Sequence, residues 1–311
     1  MTSLPTSGVI PPLCTPLTPE GEIDKVSLER LTRHLLDAGV HGLFVTGSTG
    51  EVGYLTDLHR NRVLEIVAGV SAGQVPVLAG IIDTATPRVI EQARAAKAHG
   101  ADVLVATAPF YVPTDPTEFR GHFRAIRAAV DLPLVAYDIP SSVHSKLPAE
   151  VIADLAAEGV LDGLKDSSGD LNGLHSVLDL VRGTGFPVFS GSETLADVSL
   201  RCGASGLVPG IGNVDPHGYV RLYNAARRGE WDVAQREQDR LRRLFKLVNV
   251  GDRARMGGYS SAIGAFKEAL VALGVIDNGT TSIPMIQLNS EERAAVRPYL
   301  VEAALLPNGE E

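Results

Sequence analysis

The feature that most constrains this chain is an alternation that runs through its first two-thirds. Short apolar, β-branched stretches recur: "GVIPPLCTPL" (8–17), "GLFVTG" (42–47), "PVLAGI" (76–81), "DVLVATA" (102–108), "LPLVAY" (132–137), "VLDGLK" (160–165), "PVFSG" (187–191) and "SGLVPG" (205–210). Such runs read as strands buried on both faces, the habit of parallel sheets. Amphipathic stretches of helical length separate them. "DKVSLERLTRHLLDAG" sets Val26, Leu28, Leu31, Leu35 and Leu36 close to one face. "TPRVIEQARAAKAHG" opens with Thr86 as N-cap and Pro87 in the first turn, and closes on Gly100. "LPAEVIADLAAEG" closes on Gly159. Eight strand-helix units, spaced by roughly 20–35 residues, predict an α/β fold, a (β/α)8 TIM barrel over residues 1–228. The competing architecture, a doubly wound sheet, carries a Gly-rich phosphate turn after its first strand. Here that strand is followed by "TPLTPEGEID", which has none.

Beyond about residue 228 the strand signals stop. "GEWDVAQREQDRLRRLFKLVNVG", "SSAIGAFKEALVALG" and "NSEERAAVRPYLVEAALL" read as helices. They predict additional C-terminal helices over 229–311, packed on the barrel rather than forming a domain of their own.

Charge and composition narrow the function. A net charge of -9 leaves no basic patch to meet nucleic acid or an anionic membrane. No apolar run is long enough to span a bilayer. The N-terminus lacks the basic start and apolar core of a secretion signal. The two cysteines, Cys14 and Cys202, have no metal-like spacing and fit a reducing cytoplasm. The eight histidines form no His-Glu-x-x-His, and there is no Gly-x-Ser-x-Gly elbow or dinucleotide fingerprint. The expectation is an enzyme that needs neither metal nor cofactor.

Barrel active sites lie at the C-terminal ends of the strands. Residues 46–51 (TGSTGE), 109–111 (PFY), 137–140 (YDIP), 165–168 (KDSS), 190–193 (SGSE) and 209–213 (PGIGN) therefore ring one mouth. Lys165 stands out, because lysine is almost never buried without a reason. Of the six lysines, it alone ends a buried strand. Burial favours the neutral amine, the form that attacks a ketone to give a Schiff base. Taken alone, Lys165 reads more readily as the ion-pair partner of a carboxylate such as Asp166, or as a side chain reaching out to solvent. Tyr137, one strand away, suits proton transfer or simply caps the barrel. The Gly- and hydroxyl-rich "GSTGE" can aim Ser48, Thr49 and backbone N–H groups at a small anion, or serve as an ordinary turn.

Taken together and in order, "GSTGE", "PFY", "YDIP" and "GLKDSSGD" resemble the dihydrodipicolinate synthase / N-acetylneuraminate lyase family of Schiff-base pyruvate aldolases. The resemblance runs over nearly the whole chain. It implies a homotetramer, a dimer of tight dimers, acting on pyruvate or another 2-oxo acid plus an aldehyde. It implies Lys165 as the Schiff-base lysine and Tyr137 as the acid/base. Ser48 and Thr49 become the carboxylate-binding pair, with Thr49 also in a hydroxyl relay. Tyr111 becomes the residue that completes this relay from a neighbouring subunit, and Val208 lines the pyruvate site through its backbone.

Departures lie on the far side of the pocket. Family synthases that use aspartate semialdehyde carry an arginine where this chain has Ser142. Serine supplies no bidentate cationic fork, so 4-hydroxy-tetrahydrodipicolinate synthase activity is disfavoured. The acidic residues that follow strand seven in sialic acid lyases are matched only in part, by Glu193 and then Thr194. Ser142, His144, Ser167, Glu193 and Asn213 are the candidates for the variable half. They point to a neutral or hydroxylated aldehyde, as from a 2-keto-3-deoxy sugar acid. A non-catalytic 2-oxo acid sensor is the alternative from another class.

Overall fold

The structure, a computed structural model, describes residues 4–307. Eight parallel strands form one sheet: β1 (Gly8–Val9), β2 (Leu43–Val45), β3 (Val77–Gly80), β4 (Val103–Thr107), β5 (Leu134–Asp138), β6 (Gly163–Asp166), β7 (Val188–Ser190) and β8 (Gly206–Leu207). β1 pairs with β8, with Gly8 opposite Gly206 and Val9 opposite Leu207. The remaining edge is joined just past β1. Pro12 bridges Phe44, and Leu13 N–H donates to the Phe44 carbonyl at 2.8 Å. The sheet is thus curled shut as a (β/α)8 barrel.

Every strand residue is buried. Alternation then divides them between two apolar layers. Ile10, Phe44, Leu78, Val103, Val105, Val135, Tyr137, Phe189 and Val208 fill the barrel interior. Leu43, Leu104, Leu134, Ala136, Leu164 and Val188 face outward beneath the helices. The same outer layer takes in Leu241, Leu244, Leu247, Phe266, Leu270 and Leu300 from the C-terminal helices, which lie against the barrel.

Local chemistry sets the helix ends. Asp24 caps Lys25–Asp37 by accepting from Ser27 N–H at 3.0 Å. Asp115 and Glu118 close a reciprocal capping box ahead of Pro116. Thr86 is not the N-cap expected for its helix. It is the first helical residue, after Ala85, and its hydroxyl meets His122 Nδ1 at 2.9 Å. "NSEERAAVRPYL" forms two short helices, Ser290–Ala294 and Arg297–Glu302, instead of one. Pro298 explains the break, since its ring obstructs the carbonyl four residues back and it has no N–H to give.

Candidate active site

Strand register brings the central residues together. Tyr137 is paired with Lys165, Lys165 with Phe189, and Thr107 with Tyr137. All four share one layer near the C-terminal ends of β4 to β7. Lys165 is 5% exposed, and its Nζ lies 3.9 Å from the Tyr137 ring centroid and 4.8 Å from that of Phe44. Ion pairs engage Lys25, Lys146 and Lys267 among the described residues, but not Lys165. Asp166, one residue on, faces the opposite way and accepts from Ser168 N–H at 2.7 Å. The Lys165 amine is therefore enclosed by aromatic faces, and among the described residues no carboxylate lies within ion-pair distance of it.

The turn after β2 stands opposite. Ser48 Oγ lies 3.4 Å from the Tyr137 hydroxyl. Thr46 and Glu51, at the two ends of this turn, have φ of 51° and 63°. Side chains rarely adopt that region, and it persists only where the surroundings hold it. The surroundings here are dense. Thr15 Oγ1 donates to the Gly50 carbonyl at 2.8 Å, and Glu51 N–H donates to that of Ser48 at 2.9 Å. Glu51 and Lys267 form an ion pair with both side chains fully buried. The Tyr259 hydroxyl donates to the Ser48 carbonyl. Tyr259 is 38% exposed, yet desolvation at its hydroxyl, with Glu51 nearby, pushes the phenol well up, so it remains a donor.

Other predicted residues fall near this centre. A Cβ on Gly191 would sit 2.1 Å from the Ser167 hydroxyl and 3.2 Å from Lys165 Cε, so Ser167 lies beside the lysine. A Cβ on Gly210 would sit 3.0 Å from Glu193 Oε1 and 3.3 Å from Thr49 Oγ1, so these two also converge. Glu193 accepts from Gly210 N–H at 2.9 Å. Burial raises its carboxyl above the usual range, while that N–H and Lys165 pull it down. Val208 is buried in the inner layer, its N–H on the Ser190 carbonyl at 2.8 Å. A cavity of about 320 Å³ opens beside Ser48 and is lined by Thr107, Phe110, Ile82, Ser142 and Tyr259 among others.

Three candidates lie elsewhere. Asn213 is fully buried and bonded within the protein: it accepts from Cys14 N–H at 2.9 Å and donates to the Pro12 and Gly210 carbonyls at 2.7 and 2.8 Å. It staples the β1 and β8 loops and has no donor left for a substrate. His144 is exposed, ends the short helix Pro140–Val143 in a left-handed conformation (φ 56°), and does not line the cavity. Tyr111 also has positive φ (80°), is 90% exposed and makes no hydrogen bond to Ser48 or Tyr137. Sequence reasoning missed Tyr259 and passed over Lys267. The second left a trace, a lysine on the same helical face as Ile263, Phe266 and Leu270 in "AIGAFKEALVALG". The first left none.

A profile of the dihydrodipicolinate synthetase family matches residues 5–303. The chain belongs to that family. It is accordingly an aldolase/lyase-type enzyme. An uncharacterized DapA-like lyase of Halobacterium salinarum is 34% identical over 96% of this chain and 94% of its own. A 4-hydroxy-tetrahydrodipicolinate synthase of Methanospirillum hungatei is 32% identical over 78% of this chain and 83% of its own. Among solved structures, YagE, a prophage protein of the same family from E. coli K12 in complex with pyruvate, superposes with a TM-score of 0.90. It is 26% identical, with 96% of this chain and 99% of that one covered. Among the described residues no three His, Cys, Asp or Glu side chains gather as metal ligands, and no helix is long and apolar enough to cross a membrane.

Proposed function

We propose that this member of the family cleaves or forms a carbon–carbon bond next to a 2-oxo acid through a Schiff base on Lys165. The observation that carries this reading is the enclosed amine without a counter-ion, set over the Tyr137 ring whose hydroxyl reaches toward Ser48. The amine adds to the ketone, and loss of water gives a protonated imine. In cleavage, the C3–C4 electron pair moves into that imine as an enamine. Tyr137 gives its phenolic proton to the water that departs as the imine forms, and the resulting phenolate takes the proton of the C4 hydroxyl as the aldehyde leaves. Protonation of the enamine at C3, then hydrolysis, releases pyruvate and restores the amine. Ser48 and Thr49 hold the carboxylate. Tyr111, exposed on its own protomer, reaches a second copy and completes the hydroxyl relay there, within a tetramer of two tight dimers.

The partner aldehyde is uncharged. Ser142 offers no cation for a second carboxylate, which disfavours aspartate semialdehyde despite the names of the relatives. The nearness of Ser167 to Lys165 and of Glu193 to Thr49 supports contacts with substrate hydroxyls, as in a 2-keto-3-deoxy sugar acid. The test is incubation with pyruvate and borohydride, followed by intact-mass measurement and peptide mapping. A stable adduct on Lys165, absent from Lys165→Ala, is expected. Tight pyruvate binding with no adduct would identify a sensor instead, and neither binding nor adduct would overturn the reading.

A further inference from the structure

The helix Gly258–Ala272 belongs to the C-terminal extension, yet three of its side chains reach the barrel mouth. The Tyr259 hydroxyl donates to the Ser48 carbonyl. Phe266 Cε2 comes within 3.1 Å of where a Cβ on Gly210 would stand. Lys267 pairs with Glu51 and also donates to the Thr280 carbonyl at 2.6 Å. The segment after the helix adds one more tie, from Ser282 N–H to Glu51 Oε2 at 2.7 Å. The ties from Tyr259, Lys267 and Ser282 end on Ser48 and Glu51, the two residues flanking Thr49 and Gly50, inside a turn whose ends hold left-handed conformations. An unsupported turn of that kind relaxes, and its hydroxyls lose their aim.

We infer that this helix is a clasp on the 2-oxo acid site, with Tyr259 and the Glu51–Lys267 pair as positioning residues. They hold the Ser48 and Thr49 hydroxyls where a substrate carboxylate binds. The inference rests on the 2-oxo acid reading above. Its specific content is that the extension controls affinity for the carboxylate and not the reactivity of Lys165. Tyr259 acts through the Ser48 peptide, which it shares with the Glu51 N–H. Glu51 and Lys267 act by fixing the end of the turn.

The experiment is borohydride trapping on the full chain as a function of pyruvate concentration. Tyr259→Phe keeps the ring and removes one donor. The concentration giving half-maximal adduct is expected to rise about three- to tenfold, the worth of one hydrogen bond, with the final yield and thermal midpoint unchanged. Lys267→Met alone strands a buried carboxylate and is expected to lose much of its stability, so the pair is tested as Glu51→Gln/Lys267→Met, in which neither charge is stranded. A rise of about tenfold or more is expected there. Trapping of acetone, a ketone without a carboxylate, should be unchanged in both variants. Wild type giving no adduct overturns the 2-oxo acid reading and this inference with it. Wild-type adduct with the same half-saturation in both variants overturns the clasp alone. So does a loss that affects acetone equally or only follows the thermal midpoint.

Discussion

Two turns flank the site, and each is tied by a buried carboxylate to a lysine farther along the chain. Glu51, in the turn after β2, meets Lys267 across more than two hundred residues of sequence, and both side chains are 0% exposed. Asp138, at the end of β5, meets Lys146 only eight residues on; the carboxylate is 1% exposed but the lysine 36%. The first turn carries Ser48 and Thr49, the second leads to Ser142 and His144. The half that would hold the invariant 2-oxo acid is thus locked from the interior by a distant element. The half that would face the variable aldehyde is held locally, within reach of water. Burial raises the Asp138 carboxyl above its ordinary value, and Lys146 offsets part of that rise.

The largest effect expected from this contrast is on stability. Removing one member of a buried pair leaves a charge without compensation and costs about 3–5 kcal/mol. In the Asp138–Lys146 pair the lysine is 36% exposed, so water reaches the carboxylate that its removal leaves behind and screens it in part. Lys267→Met should therefore lower the unfolding free energy more than Lys146→Met in parallel urea titrations. Equal losses would show that the two turns are held alike.

A second expectation concerns Thr107, which lines the cavity between the turns. Its carbonyl accepts from His122 Nε2 at 3.1 Å, while the Thr86 hydroxyl meets Nδ1 at 2.9 Å. Burial lowers this imidazole from 6.5 to about 4. Between those values the unfolded chain takes up a proton that the folded chain refuses. The stabilising contribution of the neutral histidine is thus complete above pH 6.5 and lost as pH falls toward 4. The full loss is about 3 kcal/mol. Wild type should lose more stability than His122→Gln between pH 7 and pH 4.5. Parallel losses would remove His122 as the titrating post between the two turns.

How much of this was legible in the sequence follows from the range of each interaction. The eight strands were readable because strands buried on both faces are apolar throughout, and the helices between them because one face is. Lys165 and Tyr137 were readable as neighbours because consecutive parallel strands pair and period-two alternation points both inward. Thr86 was misread because a threonine before a proline suits either of two helix positions, and the choice was made by His122, far away in sequence. Asn213 was misread because an asparagine that closes the barrel and one that binds a hydroxyl look the same until their partners are known. Tyr259 was illegible as a site residue for the same reason, and Lys267, though marked by its place on an apolar helix face, could not be tied to the site because both partners lie more than two hundred positions earlier.

The smallest change offers the sharpest test of independence between the two halves. Ser142 is exposed at the cavity's edge, on the locally held turn, and its side chain has room to grow. Ser142→Arg introduces a guanidinium fork at the position where the resemblance to the synthases marks serine as a departure. A charge-assisted bond to a carboxylate is worth about 1.5–3 kcal/mol, so turnover with a carboxylate-bearing aldehyde should rise at least about tenfold relative to a neutral one. The half-saturating pyruvate concentration should stay within about twofold, because no tie to the Ser48 turn is touched. Competition assays with the two aldehydes, alongside pyruvate trapping, measure both quantities on one preparation. If pyruvate affinity falls along with the change in aldehyde preference, the two turns move as one body, and the contrast between an interior lock and a solvent-reachable one has no functional meaning.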